Sequence, residues 1–423
     1  ADLLSAAGGF GDLKPETAEW AWAQEKNGDI MVTLPGQEKA FDLGKVLAEA
    51  YGTDPQAAIA RGLPVDGEKA GMIANWTLSW ENVFPWAKYG TEKNNRMAMC
   101  WLGDCYRLGH GTEKNPKAAF ECYLASTNAG LYAGQAELAN CYRTGFGTEP
   151  DLEKSLELAQ EAAERGNARA MFVLGRLYND VPSIRDKGKA RYWMEKSADM
   201  GNTDAMCDLG ALYVDGRDVP QDYAKAIEFF EKAAEEENPS ALFNLGFMYA
   251  NGNGVTQNYA KAAELYQKAA DFGNDFAMVN LGALYRDGKG VPKSDAKAAE
   301  WYQEAVNRGS FLAATNLASM YETGTGVPKD DTRAFELYKK AESMGYCKYI
   351  ALSNCYMLGR GTERNYDTSM QYALGAYEHG VTDREKTGEN LMILAENAKK
   401  DDPNYNRVPI YTKAIELGSV DAM

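Results

Sequence analysis

Residues Ala241 to Val255 read Ala-Leu-Phe-Asn-Leu-Gly-Phe-Met-Tyr-Ala-Asn-Gly-Asn-Gly-Val, and this phrase decides the fold because the chain repeats it. Its leucine recurs at Leu102, Leu138, Leu174, Leu209, Leu245, Leu281, Leu317 and Leu352. A tyrosine follows four places later each time, at Tyr106, Tyr142, Tyr178, Tyr213, Tyr249, Tyr285, Tyr321 and Tyr356. Both series step by 35 or 36 residues. A fixed period in the range of about 20–50 residues marks a stacked array, in which one helical unit buries its apolar face only against the next.

Within the phrase, Ala241, Leu245 and Tyr249 fall at i, i+4 and i+8, one stripe of a helix. Gly246 lies beside that stripe, where a missing side chain admits a second helix. Gly252 and Gly254 end the first helix and turn the chain. The second helix carries Lys261-Ala262, Leu265-Tyr266 and Lys268-Ala269-Ala270, and Gly273 closes it. Gly201, Gly309 and Gly345 close the equivalent helices, whereas the fourth unit has Glu237 there. The third unit replaces the glycine loop with Asn179-Asp180-Val181-Pro182-Ser183, and the last has Leu352-Ser353 for Leu-Gly.

The chain divides on this reading into residues 1–95, off the period and rich in tryptophan; 96–383, eight repeats; and 384–423, a degenerate end. In the first region Glu16 to Lys26 and Phe41 to Tyr51 read as helices and Asp29 to Leu34 as a short strand. Trp20, Trp22, Trp76, Trp80 and Trp86 gather there, as suits a cap over the end of a stack. The alternative is an envelope or secreted interaction factor whose aromatic N-terminal region stacks on a glycan or cell-wall fragment. Glu385 to Asn406 reads as an irregular first helix with a long loop, and Tyr411 to Gly418 as one more second helix. The chain opens on Ala1 rather than methionine, which leaves room for a trimmed terminus. Ser419 to Met423 reads as the start of a further unit.

Composition sets limits on function. The 423 residues carry a net charge of -16, which opposes binding to nucleic acid or an anionic membrane. Nothing approaches about 18 consecutive apolar residues, so no membrane span is expected. Seven cysteines show no disulfide rhythm and no C-x-x-C pair. Cys105, Cys141 and Cys355 precede the motif tyrosine where other repeats place leucine or methionine, so they read as core thiols and point to a reducing, cytoplasmic compartment. With only His110 and His379 present and no phosphate-loop motif, no catalytic, cofactor or metal site is expected.

Ala-x-x-x-Leu-Gly-x-x-Tyr-x-x-Gly-x-Gly-Val, followed by Lys-Ala and an aromatic pair, resembles the Sel1-like repeat, a relative of the tetratricopeptide repeat with a longer glycine-rich loop. The resemblance covers about residues 97–380. It implies an all-α, right-handed α/α solenoid that binds partner proteins rather than performing chemistry. It also implies that the first helix of each pair lines a concave groove. Leu138-Ala139 and Leu317-Ala318 depart from the motif by a methyl group.

Helical geometry places the groove-facing residues two before, two after and five after the motif leucine, with the residue just before it at the edge. Asn244, Asn280 and Asn316 occupy that edge in three consecutive repeats, with Asp208 in the repeat before. A primary amide both donates and accepts, so such a ladder suits a peptide backbone. Phe172, Phe243 and Phe247 make the outward positions apolar, and Arg107, Arg143, Arg176 and Arg286 flank them as carboxylate partners. The expected ligand is another protein or peptide segment; open ends also allow end-to-end self-association. Bland readings stand beside these. The amides can bond neighbouring helices, superhelical curvature can bury the phenylalanines, and the arginines can make ordinary surface ion pairs.

Overall fold

The computed structural model describes residues 21–24, 30–33, 41–42, 51–52, 54–63, 65–76, 80–216 and 219–417. The first elements are strands: β1 (Ala21–Gln24), β2 (Ile30–Thr33) and β3 (Phe41–Asp42), antiparallel in the order β1-β2-β3. Ala21 lies opposite Thr33, and Val32 opposite Phe41. This corrects the helix expected over Glu16 to Lys26 and the helical start at Phe41, while β2 lies inside the strand expected at Asp29 to Leu34. The β-branched residues of β2 give its neighbours a ladder to join, and pairing across strands overrides the weak helical pattern of Ala-Trp-Ala-Gln. The sequence between β1 and β2 contains Asn27-Gly28, a dipeptide favoured in hairpins.

Helices α1 (Pro55–Ala60), α2 (Gly67–Trp76) and α3 (Trp80–Glu92) precede the repeats. Paired helices follow: α4 (Arg96–Leu108) with α5 (Pro116–Asn128), α6 (Tyr132–Thr144) with α7 (Leu152–Glu164), and α8 (Ala168–Asp180) with α9 (Lys187–Asp199). Next come α10 (Thr203–Asp215), α11 (Tyr223–Glu235), and the pairs α12 (Pro239–Asn251) with α13 (Tyr259–Asp271), and α14 (Asp275–Asp287) with α15 (Asp295–Asn307). The chain continues through α16 (Phe311–Thr323) with α17 (Asp331–Ser343), α18 (Tyr349–Leu358) with α19 (Tyr366–Glu378), then α20 (Arg384–Asp401) and α21 (Val408–Glu416). These form two compact units, Ala1–Asp222 and Tyr223–Met423. Each is a helical solenoid in which successive pairs pack side by side. At the C-terminal end, α20 is one regular helix followed by a short connection. This corrects the irregular helix and long loop expected over Glu385 to Asn406, while α21 matches the second helix expected at Tyr411 to Gly418. Residues 419–423 lie outside the described residues.

The motif works through packing. All eight motif leucines are buried. A Cβ built on Gly246 would meet the Tyr266 ring at 2.8 Å, and one on Gly282 would meet Tyr302 at 2.7 Å, so the missing side chain is what lets the second helix seat. Where the motif ends in Ser353, its hydroxyl bonds Ser369 on α19 instead, at 3.0 Å. Each motif tyrosine is half-buried, and its carbonyl accepts from the N-cap residue of the next helix, as Tyr249 does from Asn258 at 2.9 Å. A second-helix lysine lies over the rings of Tyr142, Tyr178, Tyr249 and Tyr285, with Lys261 4.7 Å from the centre of Tyr249. Gly252 caps α12 at φ +71, and Glu237 adopts φ +57 where other repeats place glycine.

At the N-terminal end Ile73 and Trp86 share one core with Leu102 and Cys105 of the first repeat. The C-terminal core joins Met357 and Tyr366 to Leu391, Leu394 and Ile410. Cys105, Cys141 and Cys355 are buried as expected, and burial pushes Cys105 and Cys141 up to about 12. All seven cysteines are free.

Candidate functional site

The sequence-derived residues fall in both units. Phe172, Asp208, Arg107, Arg143 and Arg176 belong to the first, and Asn244, Asn280, Asn316, Phe243, Phe247 and Arg286 to the second. In each, the residues two before, two after and five after the motif leucine lie along one side of a first helix.

In the first unit this side is a strip of ion pairs. On α4, Arg107 donates to Asp104 at 2.8 Å and to the Tyr123 hydroxyl at 3.1 Å, and Tyr123 donates to Asp104 at 2.9 Å. Arg176 on α8 grips Asp208 on α10 with two bonds of 2.5 and 2.8 Å. Burial raises the Asp208 pKa, and Arg176 opposes that shift. Phe172 is 6% exposed, its ring between the guanidiniums of Arg169 at 5.4 Å and Arg176 at 5.2 Å. It is part of the packing, which corrects its expected place on an open surface. The cause is its neighbours: arginines one turn before and after lie over the ring.

Arg169 was missed by the sequence reading, although it ties Glu137 at 2.9 Å and Asp204 at 2.7 Å. Glu137 Oε2 is buried without a hydrogen-bond partner. Arg143 donates to the amide oxygen of Asn140 at 3.0 and 3.3 Å and stands 3.6 Å from Asp180.

In the second unit the same helix positions are apolar and amide. Phe243 is half-buried, 5.8 Å from the Tyr266 ring and 6.0 Å from that of Phe276. Phe247 is 42% exposed and Phe276 55% exposed. Burial pushes the Tyr266 hydroxyl up to about 12, and the nearby Asn280 side chain opposes that shift. Asn244 and Asn316 are half-buried and carry no side-chain hydrogen bond among the described residues. Tyr302, one repeat beyond Tyr266, has a buried hydroxyl without a partner. Arg286 turns to Asp287 at 2.9 Å.

Phe276 and Arg169 were missed for one reason. Both stand five before the motif leucine, one turn beyond the stripe as first drawn, and continuing the 3.6-residue period would have found them.

Trp86 is buried and its indole N–H donates to the Gly52 carbonyl at 3.0 Å, so it is not available for a glycan. The side chains of Trp20, Trp22, Trp76 and Trp80 lie outside the described residues. Among the described residues no group of three or more His, Cys, Asp or Glu is placed to hold a metal ion, and no helix is long and apolar enough to cross a membrane.

Helix pairs that pack one on the next within each unit define an α/α repeat scaffold. The chain belongs to the Sel1 repeat family: the family model matches residues 96–131, 133–167, 168–202, 203–238, 239–274, 275–310, 312–346 and 349–381. Sel1 repeats form non-enzymatic scaffolds that mediate protein–protein interaction. Among solved structures the chain is similar to a Sel1 repeat protein from Oxalobacter formigenes, with 28% identity, 69% of this chain and 86% of that chain covered, and a TM-score of 0.46. It is also similar to a protective antigen present in uropathogenic Escherichia coli that displays the same repeat fold, with 23% identity, 92% and 88% covered, and a TM-score of 0.40. No curated protein matches the chain.

Proposed function

We propose that the protein is a non-enzymatic adaptor that holds an apolar segment of another protein against α12 and α14. The observation that carries this reading is the aromatic group Phe243, Phe247 and Phe276, two members of which stand well exposed beside the unpaired amide of Asn244. Exposed aromatics of this size lose water-contacting area on docking, and a neighbouring amide meets the backbone of whatever docks. The helices before the first repeat and after the last act in this reading as end caps, since they share cores with the repeats they adjoin. Seven free thiols favour a reducing compartment.

The test is capture from a lysate of the source cell by wild type and by Phe247→Ser/Phe276→Ser, with melting curves run in parallel. A protein held by wild type and lost by the double variant at an unchanged melting temperature supports the reading. Equal capture by both overturns it. Light scattering on the purified chain tests self-association: a mass that rises with concentration supports it, and a constant monomer mass removes it.

A further inference from the structure

The first two repeats place the same pair of positions on α4 and α6, two and five residues after the motif leucine. In the first repeat these are Asp104 and Arg107; in the second they are Asn140 and Arg143. Asp104 gives Arg107 a carboxylate at 2.8 Å, whereas Asn140 gives Arg143 only a neutral amide oxygen at 3.0 and 3.3 Å. The neighbouring guanidiniums are compensated: Arg176 by Asp208, and Arg169 by Glu137 and Asp204. Asp180 Oδ2 makes a looser ion pair with Arg143 at 3.6 Å, beyond a hydrogen bond, while its Oδ1 accepts from Asn179 at 2.8 Å. Of the four guanidiniums in this strip, Arg143 alone lacks a hydrogen-bonded carboxylate among the described residues. Its side chain retains 18% exposure, so it is reachable. Burial, followed by repulsion from Arg176, lowers its pKa, and Asp180 only partly opposes that shift.

We propose that Arg143 is a subsite for a side-chain carboxylate, the aspartate or glutamate of a partner segment lying on α6 and α8. That carboxylate would stand to Arg143 as Asp104 stands to Arg107. A guanidinium prefers a planar two-oxygen acceptor, and a charged hydrogen bond is roughly twice as strong as a neutral one. This proposal rests on the first unit alone and stands independently of the aromatic patch in the second.

The test follows the Nε–H resonances of Arg107, Arg143 and Arg176 in the full chain, labelled with 15N-arginine. The probe is N-acetylglutamate α-amide, which carries one side-chain carboxylate; N-acetylglutamine amide is the neutral control and N-acetylglycine the chain-terminal one. The expected result is a saturable shift at Arg143, about threefold or more larger than at Arg107 or Arg176. Asn140→Asp, which copies the arrangement of the first repeat, should abolish that shift while leaving the melting temperature unchanged. Three resonances moving together would overturn the proposal, as would a wild-type titration in Asn140→Asp or an equal response to the glutamine control. Tighter binding of N-acetylglycine would overturn the side-chain assignment in favour of a chain terminus.

Discussion

The two units use one repeat to build two different faces. Five before and two after the motif leucine, the third repeat carries Arg169 and Arg176, tied to three carboxylates; the sixth carries Phe276 and Ala283 at the same places. The residues that seat one helix on another barely change between the units: a buried leucine and a gap over a second-helix side chain. The Gly-to-ring form of that gap serves Gly103 with Tyr123 in the first unit and Gly246 with Tyr266 in the second. The core fixes the period, and the outward positions are left free to become a polar strip or an aromatic patch. The residues that seat the helices and those that line the outward faces are therefore separate sets, which mutation can separate.

The largest expected effect falls on the shared part. Leu245→Ala removes a buried side chain and should cost about 2–5 kcal/mol, read by urea denaturation. A similar cost at Leu138 in the other unit would show that both run on one core, and an unchanged curve for either would break the comparison. Next comes the strip peculiar to the first unit. Arg169→Ala leaves Glu137 without its cation and should cost about 2 kcal/mol, less than the roughly 3–5 of a fully buried pair because Arg169 stays partly exposed. Adding Glu137→Gln should recover at least half in a double-mutant cycle; strict additivity would mean that the pair contributes nothing.

A smaller effect of opposite sign is expected at Glu237. Glycine there relieves a left-handed backbone, so Glu237→Gly should stabilise by about 0.5–1 kcal/mol, seen as a higher melting temperature. A lower one would show that the Glu237 side chain outweighs the strain. The smallest effect belongs to the face of the second unit: Phe247→Ser should change stability by no more than about 0.5 kcal/mol. A larger loss would make Phe247 a core residue and remove it from the proposed binding face. The thiols sharpen the same division without mutation. Burial raises Cys105 and Cys141, so both should resist iodoacetamide at pH 8 until the chain is unfolded; alkylation in the native state would contradict the burial.

Much of this was legible in the sequence because helical and repeat periodicity are local. The step of 35 or 36 residues determined the helix pairs, and the place of Leu245 beside Gly246 determined which side is buried. Gly252 and Gly254 determined where the chain turns. The thiol of Cys105 was legible as core because it stands where other repeats place leucine. The strands at Ala21–Gln24 and Phe41–Asp42 were not legible as such, because a short strand owes its existence to the partner it pairs with.

The tertiary structure alone decided what the outward residues do. Arg176 and Asp208 are 32 residues apart, and only the seating of one pair on the next brings them to 2.5 Å. The same seating sets Phe243 beside the Phe276 ring of the next repeat and leaves Phe247 in water, while Asn244 stays free. The physical reason is that an outward side chain finds its partner on the neighbouring repeat. Which partner lies within reach depends on the relative rotation of two helix pairs, and no residue within a single repeat sets that rotation.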